Sequence, residues 1–277
     1  MALRPAAVAG TWYPGSAARL AADVRGHLES AARESADAVP TDAALVALIA
    51  PHAGLRYSGP VAAHGYSLLQ RHALDTIVLV GPSHYVGFEG ASIWPRGAFE
   101  TPLGNIPIDE EVATALMAAC PGIADLPDAH RREHSLEMQL PFLATLARQK
   151  AIVPIVMGFQ TRETAYALAD GIAAVARGRR VLLIASSDLS HFYDAHTASA
   201  LDHEVISRVE ALDDEGLMAL LERRADHACG GGPMVTVLRA ARALGATTSR
   251  VLRYADSGDV SGDKSSVVGY IAAAIWR

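Results

Sequence analysis

Three stretches of this chain share one grammar: ALVALIAPH (Ala44–His52), TIVLVGPSH (Thr76–His84) and VLLIASSDLSH (Val181–His191). Each opens as an apolar run rich in β-branched residues and leucine, the pattern of a strand buried on both faces. Each then turns polar and delivers a histidine just past the strand. In α/β proteins ligands bind at the carboxyl edge of such strands. The repetition predicts a parallel sheet with imidazoles gathered along one edge. The third stretch adds Ser186, Ser187, Asp188 and Ser190 within a few residues, so an acid accompanies its histidine.

The rest of the chain supplies the helices that such a sheet requires. Leu20, Val24 and Leu28 stripe a helix over Ala17–Ala32, with Ser16 placed to cap it. A helix is expected from Pro60, a natural first-turn residue. Asp109, Glu110 and Glu111 open another with acids at its positive end. Glu133–Arg148 carries Leu136, Leu140 and Leu143 on one face, with Pro141 expected to bend or interrupt it. Further strands are expected at Ala91–Trp94, Ile152–Met157, Arg250–Tyr254 and Val267–Ile275. Further helices are expected from Thr161, over Ala195–Glu210 and Asp214–Arg223, and at Met234–Leu244 after CGGGP. Glu34–Thr41 reads as a linker, and residues 5–15 as an extended arm around Trp12 and Tyr13. Alternating strands and helices predict an α/β fold: a mostly parallel central sheet with helices on both faces, residues 1–277 forming a single domain.

Hydrophobic residues make up 51% of the chain and charged ones 19%, enough for a large core. A net charge of −6 and the lack of a Lys/Arg-rich run argue against a nucleic-acid surface. No apolar stretch approaches the roughly 20 residues needed to cross a bilayer, and no signal peptide is read. Two distant cysteines, Cys120 and Cys229, do not make a disulfide framework. These readings give the expectation of a reduced, cytoplasmic, soluble protein.

His52 and His84 follow turns stiffened by Pro51 and Pro82. Adjacent parallel strands lie about 4.8 Å apart, close enough for two such imidazoles to share one metal ion. Singly, each could be a loop histidine bonded to a carbonyl; the shared grammar and His191 turn the balance. Cys229, before Gly230-Gly231-Gly232-Pro233, would lie near a helix N-terminus, whose field favours thiolate. That thiolate could be a ligand or a nucleophile, or the residue could simply fill a tight turn. Cys120 reads as core filler. His134 and Glu137, three apart, would share a helix face as a substrate-binding pair or merely as a solvated one. Asp188 and His191 could pair for proton transfer, or cap and turn the chain.

VAGTWYPG, APHAGLRYSG, GPSH, EHSLEMQLPFL, SSDLSHF, CGGGP and SGDVSGDKSSVVGY occur in this order, from Val8 to Tyr270. Together they resemble the Memo family, whose bacterial and archaeal members are called AmmeMemoRadiSam system protein B. That family is similar in fold to class III extradiol dioxygenases, non-haem iron enzymes. The resemblance implies metal ligands at His52, His84 and Cys229, and further pocket residues at Asp188 and His191. It also puts Trp12 at the position of a tryptophan implicated in peptide binding. Two histidines and a thiolate differ from the two histidines and one carboxylate of an iron dioxygenase. Fe(II) is the expected metal, with copper and zinc as alternatives. Implied functions are a metal-dependent oxidoreductase with His191 as acid/base oriented by Asp188, a binding module for a peptide or small molecule, or a zinc-type hydrolase. Radical-SAM and AMMECR-type proteins are the implied partners.

Overall fold

The computed structural model describes residues 2–34, 38–147 and 150–277. Its strands are β1 (Leu3–Arg4), β2 (Leu45–Ala50), β3 (Thr76–Pro82), β4 (Ala91–Ile93), β5 (Ala98–Phe99), β6 (Ile106–Pro107), β7 (Ile123–Ala124), β8 (Ala151–Met157), β9 (Val181–Ser186), β10 (His191–Tyr193), β11 (Thr248–Asp256) and β12 (Val267–Trp276). The helices are α1 (Ala17–Glu34), α2 (Leu55–Tyr66), α3 (Glu110–Ala119), α4 (Pro127–Arg131), α5 (Leu140–Leu146), α6 (Arg162–Ala176), α7 (Ala195–Glu210), α8 (Asp214–Arg223), α9 (Gly231–Ala243) and α10 (Gly258–Ser261).

The apolar runs behave as their composition demands. β2, β3 and β9 are buried throughout, as is β8 beyond its first residue, and these strands lie side by side and parallel in the order β2-β9-β3-β8. Thr76 pairs with both Val181 and Ala151, so the carboxyl ends of the four strands arrive together. Helices flank the sheet: α9 packs against β9, β2 and β3 with α6 behind it, and α2 packs on β12 with α1 behind it.

The four central strands are parallel, as expected, and antiparallel strands at the flanks make the sheet as a whole mixed. β12 runs antiparallel to both β2 and β11, and β4 antiparallel to β8. The cause lies in connection length. β11 returns into β12 through the short Ser257–Ser266 segment, which cannot hold the long crossover that a parallel pair needs. β11 alternates half-buried and exposed residues, as an outer antiparallel strand does.

Two helix expectations also change. α2 begins at Leu55 and carries Pro60 inside it, because buried Leu55 already starts the turn against the arm, its N–H donating to Trp12 O at 2.9 Å. The helix expected over Glu133–Arg148, bent or interrupted at Pro141, is instead irregular backbone and a turn at Ser135–Leu136, a short 3₁₀ segment Glu137–Gln139, and then α5. Pro141 lacks an N–H and is tolerated in a first helical turn, so α5 starts beside it. Arg148 lies outside the described residues, as do Ser35–Asp37 of the expected linker.

Candidate metal centre and its pocket

The carboxyl ends of β2, β3 and β9 bring the three sequence echoes to one place, and the loop before α9 meets them there. His52 follows β2, His84 follows β3, and Cys229 lies just before the N-terminus of α9. One ligand atom from each residue lies within 4.8 Å of the others. Cys229 Sγ is 3.1 Å from His52 Nε2.

The hydrogen bonds around the two imidazoles fix which nitrogen faces the centre. Ser186 Oγ donates its single proton to Ser135 O at 2.6 Å and accepts from Gln139 Nε2 at 2.8 Å. The 2.9 Å contact between His52 Nδ1 and that same oxygen therefore requires the imidazole to donate. His52 Nε2 is left with a lone pair aimed at the centre. Complete burial, reinforced by His84, holds the His52 pKa well below the usual imidazole range, so the ring is neutral. His84 follows the same plan. Its Nδ1 meets Glu133 Oε1 at 2.9 Å and its N–H donates to Glu133 Oε2 at 2.6 Å. Imidazoles that ligate metals are oriented this way, one nitrogen on a fixed acceptor and the other on the ion.

Glu133, His84 and His134 also lie close enough to hold an ion. The carboxylate there is already committed, however. It accepts from the N–H of His84, His134 and Ser135 and from the His84 ring. Those donors pull its pKa down to about 2 against the opposing effect of burial. Glu133 thus holds His84 in place and has little capacity left for an ion of its own.

Cys229 is set by its backbone. Its N–H donates to Asp188 O at 3.2 Å, and Gln160 clamps the loop by donating to Cys229 O and accepting from Gly232 N, both at 2.7 Å. The glycines answer to the protein itself. A Cβ on Gly230 would lie 2.3 Å from Ser186 O, and one on Gly232 would lie 2.6 Å from Met157 Sδ. The expected thiolate is not favoured by this surrounding: burial, then the nearby Asp188 carboxylate, push the thiol pKa up. The field of α9 is outweighed, and only a bound cation reverses the balance.

Asp188 and His191 both line the pocket in front of these residues, a cavity of about 590 Å³ that also involves Trp12, Arg56, Tyr57, His134 and Phe192. Asp188 Oδ1 accepts from the N–H of His52 at 2.7 Å and of Ala53 at 3.3 Å, and burial lifts its pKa to about 6. No hydrogen bond joins Asp188 to His191 among the described residues, so the expected orientation of His191 by Asp188 is not made directly. His191 is instead placed by pairing of β10 with Val268 and by Ser190 N donating to Asp202 Oδ1 at 2.9 Å.

His134 and Glu137 part company. With no helix joining them, His134 faces the pocket, its ring 4.4 Å from His84 and 4.2 Å from Trp12 between centroids. Burial, then its histidine neighbours, lower its pKa to about 3. Glu137 is neither a solvated residue nor a pocket one. It is fully buried, pairs with the Arg4 guanidinium, and accepts from Ala7 N at 2.8 Å, Val8 N at 3.0 Å and Tyr13 OH at 2.6 Å. It thereby pins the N-terminal arm and sets Trp12 against His134. Cys120 is buried away from the centre, as core filler is expected to be.

Sequence reading missed Glu133, Gln139, Gln160 and the role of Ser186. For Glu133 and Gln139 the one signal lay in EHSLEMQ, where five of seven residues are polar directly before the apolar run of α5. No helix among the described residues is long and apolar enough to cross a membrane.

Residues 4–274 match the family described as Memo-like protein. The chain is 40% identical over 273 residues to a MEMO1 family protein of Methanothermobacter thermautotrophicus, a match covering 97% of this chain and 98% of the relative. It is 40% identical over 280 residues to one of Sulfolobus acidocaldarius, covering 98% of each. An uncharacterized protein from Escherichia coli K12 of known crystal structure shares the fold, with TM-score 0.57 over 83% of this chain and 99% of that one, at 12% identity. The chain belongs to the Memo-like family.

Proposed function

We propose that this protein is a metal-dependent oxidoreductase whose ion is held by His52 Nε2, His84 Nε2 and Cys229 Sγ. The observation that carries the reading is the convergence of these atoms within 4.8 Å, with both Nδ1 atoms already engaged by Ser186 and Glu133. Two imidazole nitrogens and a sulfur suit iron, copper or zinc, and among these Fe(II) is the ion the family resemblance implies. A bound iron or copper would supply a centre for one-electron chemistry beside an open pocket. The remaining roles belong to the chain. Cys229 would have to release its proton to solvent for its sulfur to hold the ion. Asp188, with its pKa near 6, holds or releases a proton close to neutral pH beside His52. His191, partly exposed on the same cavity wall, is the acid/base candidate facing whatever fills the cavity. Trp12 and His134 exclude water from one side.

The test is anaerobic purification followed by elemental analysis of wild type, His52→Ala and Cys229→Ala. Near-stoichiometric iron or copper in the wild type alone is expected. Stoichiometric metal in both variants overturns the site, and zinc with oxygen-independent activity moves the reading to a hydrolase.

A binding role without turnover is a second reading, supported by the exposed aromatic residues Trp12, Tyr57 and Phe192 at the mouth. It includes a peptide in the pocket and radical-SAM or AMMECR-type partner proteins. Partner binding unaffected by metal removal, with no oxygen consumption, favours it.

A further inference from the structure

We infer that Gln160 is the positioning residue that makes sulfur the third ligand of the proposed centre: its side-chain amide holds Cys229 within reach of the ion, and without it the site falls back to two imidazoles. The inference rests on the metal-centre reading and adds a residue to it. Neither β9 nor β8 sends a ligand atom to the trio. β9 instead supplies Ser186 beneath His52, and β8 supplies Gln160, three residues past its last, Met157. The β8 loop is itself tied down, Gly158 N donating to Gly90 O at 3.0 Å and Phe159 N to Phe88 O at 2.8 Å. From that anchor the Gln160 Nε2 donates to Cys229 O and its Oε1 accepts from Gly232 N, each at 2.7 Å. One partner can only accept and the other can only donate, so the amide has a single orientation.

The chemistry of the ligand explains why the grip falls on backbone. His52 and His84 each have a second ring nitrogen, which Ser186 and Glu133 hold. A cysteine sulfur has no second side-chain atom to hold, so its direction follows the backbone that carries it. The other ties of this loop run to the end of β9 and are longer: Cys229 N to Asp188 O at 3.2 Å and Gly230 N to Ser187 Oγ at 3.0 Å. Packing does not replace the clamp. Gln160 and Cys229 line a cavity of about 550 Å³ together with Phe159, Met218 and Leu221, so the loop has room to swing away from His52 on that side. Gly232 belongs to the same device: a Cβ there would lie 2.6 Å from Met157 Sδ and 2.8 Å from Gln160 Cβ, which would drive the amide off its partners. Capping of α9 accounts for half of the arrangement, since Gly230 has no side chain and Gln160 Oε1 supplies the missing acceptor. The donation to Cys229 O lies outside the helix and acts on the ligand.

Metal-free full-length protein is titrated with Co(II), whose sulfur ligands give a near-ultraviolet charge-transfer band that imidazoles do not. Wild type is expected to show the band and Cys229→Ala to lack it. Gln160→Glu keeps the size of the residue and the acceptor for Gly232 N, but an ionised carboxylate cannot donate to Cys229 O. It is expected to lose most of the band per bound cobalt and to bind Co(II) about 10- to 100-fold more weakly, with circular dichroism unchanged. Gly232→Ala is expected to give the same loss, and the double variant no more than either single, since both act on one contact. The full band per bound cobalt in Gln160→Glu overturns the inference whether or not affinity falls, because a merely structural role weakens binding without removing sulfur from the ion. A wild type without the band, or a band kept in Cys229→Ala, overturns the metal-centre reading and the inference with it.

Discussion

The floor and the mouth of the pocket are built on opposite terms. On the floor, nearly every polar atom around His52 and His84 has a partner within the chain, and Glu133, Gln139 and Ser186 are each fully or almost fully buried. At the mouth, Arg56 is exposed with no carboxylate partner among the described residues, Phe192 is 76% exposed, and Phe192 holds a left-handed backbone at φ 67° between two residues of a bulged strand pair. A saturated floor can present two lone pairs in one orientation, while an unsatisfied mouth leaves its interactions free for something arriving from outside. The contrast separates what must stay fixed from what is left for recognition.

Trp12 tests where that boundary runs, because it sits at the mouth yet is secured by a buried ion pair. Glu137→Ala strands the Arg4 guanidinium in the interior and is expected to cost about 3–5 kcal/mol, the usual result of breaking a buried pair. Urea denaturation measures the loss, and a shift in Trp12 fluorescence reports release of the arm. A cost under about 1 kcal/mol would make the arm part of the mouth. Next in size, Glu133→Gln keeps the shape of the floor but weakens the hold on His84. Metal affinity is expected to fall about 10- to 100-fold by competition with a chelator, and an unchanged affinity would detach Glu133 from the centre.

The two regions also differ in their response to acid. His130, behind the arm, is buried and uncharged, its pKa lowered to about 3 first by burial and then by Arg4. The unfolded chain therefore binds its proton below about pH 6.5 while the fold does not, so this residue makes stability rise with pH between about 3 and 6.5. Asp188 has the opposite sign. Its folded pKa near 6 exceeds the unfolded value, so its contribution falls as pH rises from about 4 to 6. In metal-free protein between pH 4 and 6, His130→Gln is expected to reduce the upward slope and Asp188→Asn to steepen it, each by up to about 1.4 kcal/mol per pH unit. A common direction for both variants would sink the assignment. Smallest of all, Phe192→Gly should leave thermal stability within about 1 kcal/mol, relief of the left-handed backbone offsetting the freer unfolded chain. A larger loss would place Phe192 with the floor.

The strands that carry the centre were legible because full burial leaves a continuous apolar run, and the expected spans of α7 and α8 match the structure, where Asp194 and Asp213 cap them. The histidines were legible because each follows such a run directly. The supports were not. Glu137 meets Arg4 across 133 positions and Ser186 meets His52 across 134, and neither separation leaves a periodic trace. Glu133 escaped for a different reason: its oxygens fold back onto neighbouring amides, so a residue resembling an ordinary surface acid is an interior one. The setting of Cys229 was half legible, because the helix N-terminus beside it is visible in sequence while the burial that raises its thiol pKa is not.

His52 and Cys229 are 177 positions apart. At about 5–20 residues per second of synthesis, roughly 10–35 s separate the two on the ribosome. His84 is made within the first few seconds of that interval, so a nascent chain carries two imidazoles long before it carries the sulfur. Imidazoles alone favour whichever divalent ion the Irving–Williams order ranks highest, whereas the completed trio adds a soft donor. If an ion is held as proposed, the order in which the chain is written would delay its final choice until Cys229 has emerged and the loop before α9 has closed on Ser186.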